Sequence, residues 1–250
     1  MNTRNPFFDL ERWRRVMQVV SQLPADTNCQ ISKLSLAHRL KNGQGDYIFN
    51  FNKDIPNRMA GDIVLDRSDC FIPVGFGLGF QFDTIERTGR AKIETYPIAA
   101  STAARGFINP DHAEAIFNGI FEIKFNTETV AESFPTEMFR TVPETQPIIS
   151  KDSADAPYSV GLVPMYDFDR FIKPIPGELY MQGDVDTTFR ISFNGTGANF
   201  DIAEASAPTT VSTTNAAYLR FMAYGFLMKS GSMQAKDMAN KFREVLSRSI

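Results

Sequence analysis

Cysteine and histidine each occur only twice in 250 residues, as Cys29 and Cys70 and as His38 and His112. Two cysteines cannot build a disulfide framework, and their scarcity agrees with synthesis in a reducing compartment. The histidines stand far apart in sequence from each other and from both cysteines, which leaves a zinc site made by this chain alone with little support. No apolar run approaches the roughly 18 residues that a membrane-spanning helix needs. No signal-peptide apolar region opens the sequence, so cytosolic synthesis is expected. The G-x-S-x-G elbow of a hydrolase is missing, and any catalytic triad would have to use His38 or His112. His38 lies in a strand-like run between Ala37 and Arg39, a setting that suits a half-exposed structural histidine. The 29 acidic residues offer many carboxylate pairs for a glycosidase, but no marker singles one out. The expectation is a protein that is not an enzyme and takes no cofactor and no metal.

Material for a core is plentiful. Apolar residues make up 43% of the chain and include 22 phenylalanines. The net charge of −3 is unevenly spread. Residues 1–23 carry four arginines against Asp9 and Glu11, a net of +2, and residues 229–250 carry five basic groups against Asp237 and Glu244, a net of +3. The body between them therefore holds −8. Two basic ends on an acidic body fit either solvated helices or contact with an anionic surface, nucleic acid or lipid headgroups.

The spacing predicts a helix in "NPFFDLERWRRVMQVVSQLP", with Pro6 in its first turn and Pro24 ending it. Leu10, Trp13, Met17, Val20 and Leu23 trace one apolar face, next to Arg12, Arg14 and Arg15. From residue 28 to residue 142 the period changes to two, in short runs such as "DYIFNFN", "DIVLDR" and "GIFEIKFNTETV" separated by turn residues. "NPDHAEAIFNG" departs from this as a short helical insert. The proline-bearing stretch at residues 143–157 reads as a linker. A second strand-rich region follows, interrupted by "ASAPTTVSTTNA", which reads as an exposed loop. The end returns to helical spacing through Met238, Phe242 and Val245.

"CFIPVGFGLGFQFD" places Gly75, Gly77 and Gly79 at alternate positions. A phosphate-binding glycine loop would lead into a helix, yet strand residues flank these glycines on both sides. Alternation sets Val74, Phe76, Leu78 and Phe80 on one face and the glycines on the other, where a neighbour can press close. Overfilling that face at Gly77 is expected to cost stability. The pairs Asp167 with Asp169 and Asp184 with Asp186 could join a calcium site or form a solvated face. Asp66 and Asp69 flank Arg67, where local charge pairing competes. Asn194-Gly195-Thr196 fits a hairpin turn better than a glycosylation acceptor.

About twelve short strands with helices at both ends describe an all-β sandwich. With the N-terminal arm "FFDLERWRRVMQVV", strand runs such as "DIVLDRSDCFIPVGFGLGF" and "NGIFEIKFN", the late strand "YLRFMAYGFLMK" and the basic C-terminal helix, the layout resembles the jelly-roll virion proteins of tailless, lipid-containing bacteriophages. It is most similar to the small double jelly-roll major capsid proteins, although those have sixteen strands. The resemblance implies an all-β jelly-roll sandwich of two successive jelly rolls. Residues 1–24 would form an amphipathic helix, 25–145 the first sandwich, 146–230 the second and 231–250 the C-terminal helix. It implies a virion subunit made in the host cytoplasm, a homotrimer within an icosahedral shell that also meets other virion proteins. The basic termini, with Arg12, Trp13, Arg14 and Arg15, would face an inner lipid layer, the packaged genome or a neighbouring subunit. A vertex or spike protein, a carbohydrate-binding β-sandwich and a cupin-like enzyme are the competing readings. A cupin would want a cluster of metal-binding histidines.

Overall fold

The computed structural model describes residues 10–51, 61–85, 93–100, 106–125, 128–142, 144–150, 159–165, 172–174, 179–204 and 207–247. Helix α1 (Leu10–Val20) leads to β1 (Asn28–Arg39), β2 (Asp46–Asn50), the long β3 (Cys70–Thr84) and the short β4 (Ile93–Glu94). Helix α2 (Pro110–Glu114) and a 3-10 turn (Ala115–Asn118) precede β5 (Ile120–Phe125) and β6 (Glu128–Pro135). Next come β7 (Glu144–Ser150), β8 (Ser159–Met165), β9 (Lys173–Pro174) and β10 (Met181–Gln182). The chain ends through β11 (Thr187–Ser192), β12 (Ala203–Glu204), β13 (Ala207–Val211), β14 (Asn215–Lys229) and helix α3 (Ala235–Ser247).

Two antiparallel sheets carry the fold. One follows the path β1-β14-β3-β10, with β9 and β4 also pairing with β3, and the other follows β2-β11-β5-β6. Counting only the eight strands on these paths, in chain order, gives 1-8-3-6 facing 2-7-4-5. That is the strand order of one jelly roll. The all-β sandwich is as expected, but the two successive jelly rolls are not. β14 lies between β1 and β3, and β11 lies between β2 and β5. Strands from both sides of residue 146 therefore interleave in both sheets. The period-two pattern says that a strand buries one face; it does not say which strand lies beside it.

The expected linker also differs. Residues 144–150 are β7, which pairs with β8 in a separate two-stranded ribbon. Among the described residues β7 pairs with β8 alone, and an edge strand is where a proline such as Pro147 is tolerated. Part of the expected loop "ASAPTTVSTTNA" is β13, paired with β12. "DIVLDR" forms no strand of its own; Ile63 bridges to Ser35, and the Leu65 N–H donates to the Phe51 carbonyl at 2.8 Å. The helical insert is present as α2, with Pro110 at its first turn.

Phenylalanine fills the space between the sheets. Tyr47, Phe49 and Phe51 from the β2 run meet Phe121, Ile123, Phe189 and Ile191 of their own sheet and Phe76, Leu78, Phe80 and Phe221 of the other. Phe221 is the hub: six phenylalanine rings lie with centroids 5.0–6.2 Å from its own. His38 fits edge-on against Phe49 at 4.9 Å, a structural role.

β3 serves two cores. Phe76, Leu78, Phe80 and Phe82 point into the sandwich, as Phe71 does, while Cys70, Ile72 and Val74 point to the opposite face. The register explains the change of side: Tyr224 pairs with Gly75 but Gly225 pairs with Pro73, which leaves Val74 as an extra residue in a bulge. Val74 is thus on the other face from Phe76, contrary to simple alternation. Gly225 is required there, because a Cβ would overlap the Ile72 carbonyl oxygen.

On that opposite face, α1 and α3 pack together. Val16, Val19 and Leu23 meet Met238, Ala239, Phe242 and Val245 over Ile72, Val74 and Phe226. The C-terminal face is the expected one. The α1 face is rotated: Val16 and Val19 are buried, whereas Met17 is 41% exposed. Asp26 ties the two helix-bearing ends together, accepting from the Ser232 hydroxyl at 2.8 Å and the Ser230 hydroxyl at 3.3 Å. The Ser232 bond holds the Asp26 carboxyl below its usual range.

Candidate interaction surfaces

Among the described residues, aromatic rings fill the space between the sheets. Arg14 is exposed on α1, and Lys236 and Arg243 are exposed on its partner α3. The side chains of Arg12, Trp13 and Arg15 lie outside the described residues. Arg243 stacks over Tyr180, its guanidinium carbon 4.7 Å from the ring centroid. The helix pair thus turns its apolar side onto its own sheet and presents basic groups outward.

The glycine stripe is explained by what lies over it. A Cβ at Gly79 would sit 2.5 Å from Ile93 Cγ2 and 2.8 Å from the Glu94 carbonyl oxygen. At Gly75 it would overlap Ile172 Cγ2 and approach the Lys173 carbonyl at 2.9 Å. Gly77, between them, pairs with Met222 of β14. Gly75 and Gly79 pair with Tyr224 and Arg220, so bulk on β14 stands beside absence of bulk on β3. Gly75 and Gly79 are thus packed against β9 and β4 and their flanks.

Arg220 is the residue that periodicity did not expose. It sits in a strand of large apolar side chains, yet its own side chain is 4% exposed. Its Nε donates to Gln81 Oε1 at 2.6 Å, and its Nη1 donates to Ser35 Oγ at 2.7 Å and lies 3.3 Å from Asp62 Oδ1. Burial pulls its pKa down while Asp62 opposes that shift. The signal available in the sequence is the cation itself, flanked by Leu219 and Phe221 in "YLRFMAY".

The remaining candidates are dispersed. Asp184 and Asp186 are exposed where β10 of one sheet passes to β11 of the other. Asp167 and Asp169 lie outside the described residues. Asp69 pairs with Lys229 at 3.0 Å, and Asp66 stands 3.9 Å from the same ammonium. Among the described residues no group of three or more histidine, cysteine or acidic side chains is placed to hold a metal, and no helix is long and apolar enough to cross a membrane. His112 Nδ1 accepts from the Asn199 backbone at 3.0 Å. Asn194 caps a turn by accepting from the Thr196 N–H, but β11 does not pair with the strand after it, so this is no hairpin. A depression of about 340 Å³ opens between Lys41, Asp201 and Asn215. Asn42 braces its wall, donating to Asp201 at 3.0 Å and accepting from the Phe200 N–H at 2.7 Å.

Cys29 and Cys70 both pair with Met228, from opposite sides of β14. Two strand spacings, roughly 9–10 Å, separate them, beyond the reach of a disulfide. Burial pushes the Cys70 thiol up to about 12, and raises Cys29 as well. At pH 8 Cys70 is therefore a neutral thiol and a poor nucleophile. Alkylation with iodoacetamide at that pH should modify Cys29 slowly and Cys70 only after unfolding, as peptide mass spectrometry will show. Equal labelling of both in the folded protein would contradict this burial.

The sheet order and the filled interior define an all-β jelly-roll sandwich whose accessible features are edges, helices and charged faces. No family model matches the chain, and no curated protein does. Among solved structures it is similar to the 60-mer BFDV capsid protein, at 8% identity and a TM-score of 0.22, over 84% of this chain and 98% of that one. A likeness that low fixes nothing, and the fold assignment stands on strand order alone.

Proposed function

We propose that this protein is a structural subunit of a virus particle, and in the finer reading the major capsid protein of an icosahedral shell. The observation that carries the reading is the interior of the jelly roll. Cupins and lectins use the same sandwich, so fold alone does not decide function. Here the space between the two sheets is occupied by Phe76, Phe121, Phe189 and Phe221, with ring centroids 5.0–6.1 Å apart. A solid sandwich is suited to bearing load and presenting edges to copies of itself, and needs no catalytic centre. Trimers within a larger shell, contacts with other virion proteins, and a lipid layer or genome facing Arg14, Lys236 and Arg243 complete the proposal. A vertex or spike role uses the same architecture with fewer copies. With a single jelly roll, a double jelly-roll subunit is not part of the proposal. The test is light scattering and negative-stain electron microscopy of the purified full chain across protein concentration and salt. Regular oligomers or closed shells are expected. A monomer under every condition would overturn the reading.

A further inference from the structure

Among the described residues β1 is the outermost strand of its sheet, twelve residues long, and its outer edge is only partly covered. Ser35 exchanges two backbone hydrogen bonds with Ile63, each 2.8 Å, on the side away from β14. Backbone groups alternate sides along an antiparallel strand, so Cys29, Ile31 and Lys33 direct their N–H and C=O groups to that same outer side. Among the described residues nothing pairs with them there. Among the described residues Ile31 is also the most exposed of the large apolar side chains, at 61%. The bare stretch is bounded before Asn28 by a turn, in which the Thr27 N–H donates to the Pro24 carbonyl, and after Leu34 by the Ile63 bridge.

We propose that this edge pairs with the same edge of a second copy of the chain, antiparallel, about a two-fold axis through Ile31. The bare stretch runs from residue 28 to residue 34, and Ile31 is its midpoint, so only a two-fold axis there uses all of it. In that register Ile31 faces Ile31 and Cys29 faces Lys33 on either side. These are hydrogen-bonded pairs, each exchanging two backbone bonds. Lys33 is the single charged residue in the stretch, and it falls opposite a cysteine, so no like charges meet. Edge strands that avoid pairing carry charges, a proline or a bulge. The bare stretch has no proline and no bulge, and its one charge, Lys33, meets no like charge in this register. The pairing deepens the capsid reading, on which it rests, by naming one contact between subunits.

Two variants of the full chain test it. Ile31→Pro removes an N–H that points away from β14, so the β1–β14 ladder keeps its bonds. Ile31→Cys, with Cys29→Ser to avoid a competing thiol, places two thiols across the axis. Hydrogen-bonded partners there have Cα atoms about 5.5 Å apart, within disulfide range. The expected results are a halved sedimenting unit for Ile31→Pro with its circular dichroism retained, and a disulfide joining two copies of the peptide that carries position 31. Self-association without that cross-link, or a cross-link to any other segment or protein, overturns this pairing and leaves the shell reading standing. Cross-linked dimers that never build larger particles support the pairing and count against the shell. A wild-type chain that remains monomeric sinks both.

Discussion

Replacing Phe221 with alanine is expected to cost about 3–5 kcal/mol, a large part of the roughly 5–15 kcal/mol that holds a typical domain together. Its ring is buried and lies beside six other phenylalanine rings, four of them on strands of the two sheets. Alanine would leave a cavity at the one place where all of them converge. The neighbours cannot all collapse inward, because four of them, Phe49, Phe76, Phe121 and Phe189, are anchored on four different strands. Urea unfolding followed by fluorescence and circular dichroism measures the loss. A loss under about 1 kcal/mol would mean that the two sheets can close over the gap and that the interior is less fixed than the ring geometry implies.

Arg220→Ala is expected to be as damaging, for a different reason. The substitution leaves the Asp62 carboxylate, on a side chain 3% exposed, as a buried charge without this cation, and breaking one side of a buried ion pair costs about 3–5 kcal/mol. Gln81 and Ser35 lose a partner at the same time. Because the penalty lies in the stranded carboxylate, removing it as well should recover stability. The double variant Arg220→Ala, Asp62→Ala is expected to be more stable than Arg220→Ala alone. Additive losses in this cycle would show that the two side chains do not act as a unit.

Much of this was legible from residue order, and the failures have specific causes. Tyr47, Phe49 and Phe51 announce a half-buried strand because every second residue must face the core. The glycine stripe could be read as a strand because Val74 and Phe80 bracket it. Val74 nonetheless lies on the face opposite to the one alternation predicts, since a bulge is a relation between two strands and Gly225 lies 151 positions later in the chain. The α1 face slipped because Met17 and Val16 are both apolar, and only the position of α3 decides which is covered. The division into two sandwiches failed for a related reason: nothing local in "YLRFMAYGFLMK" says that it inserts between β1 and β3. The bare edge of β1 was invisible for the same cause, as it depends on where Ile63 stops.

The position of β14 also has a consequence for how the chain is made. It is the strand that joins β1 to β3, and it is built from residues 215–229 of 250. Synthesis runs from the N-terminus at roughly 5–20 residues per second, so β1 and β3 exist for much of that time with no neighbour on the side β14 will occupy. The pairing of Asn28 with Lys229 cannot begin until almost the whole chain has emerged. Contacts so distant in sequence make folding slow. A chain ended before Asn215 would keep both bare strands permanently, offering them to any other nascent chain. Unfinished copies are therefore the aggregation hazard, and the final strand is what makes the product safe.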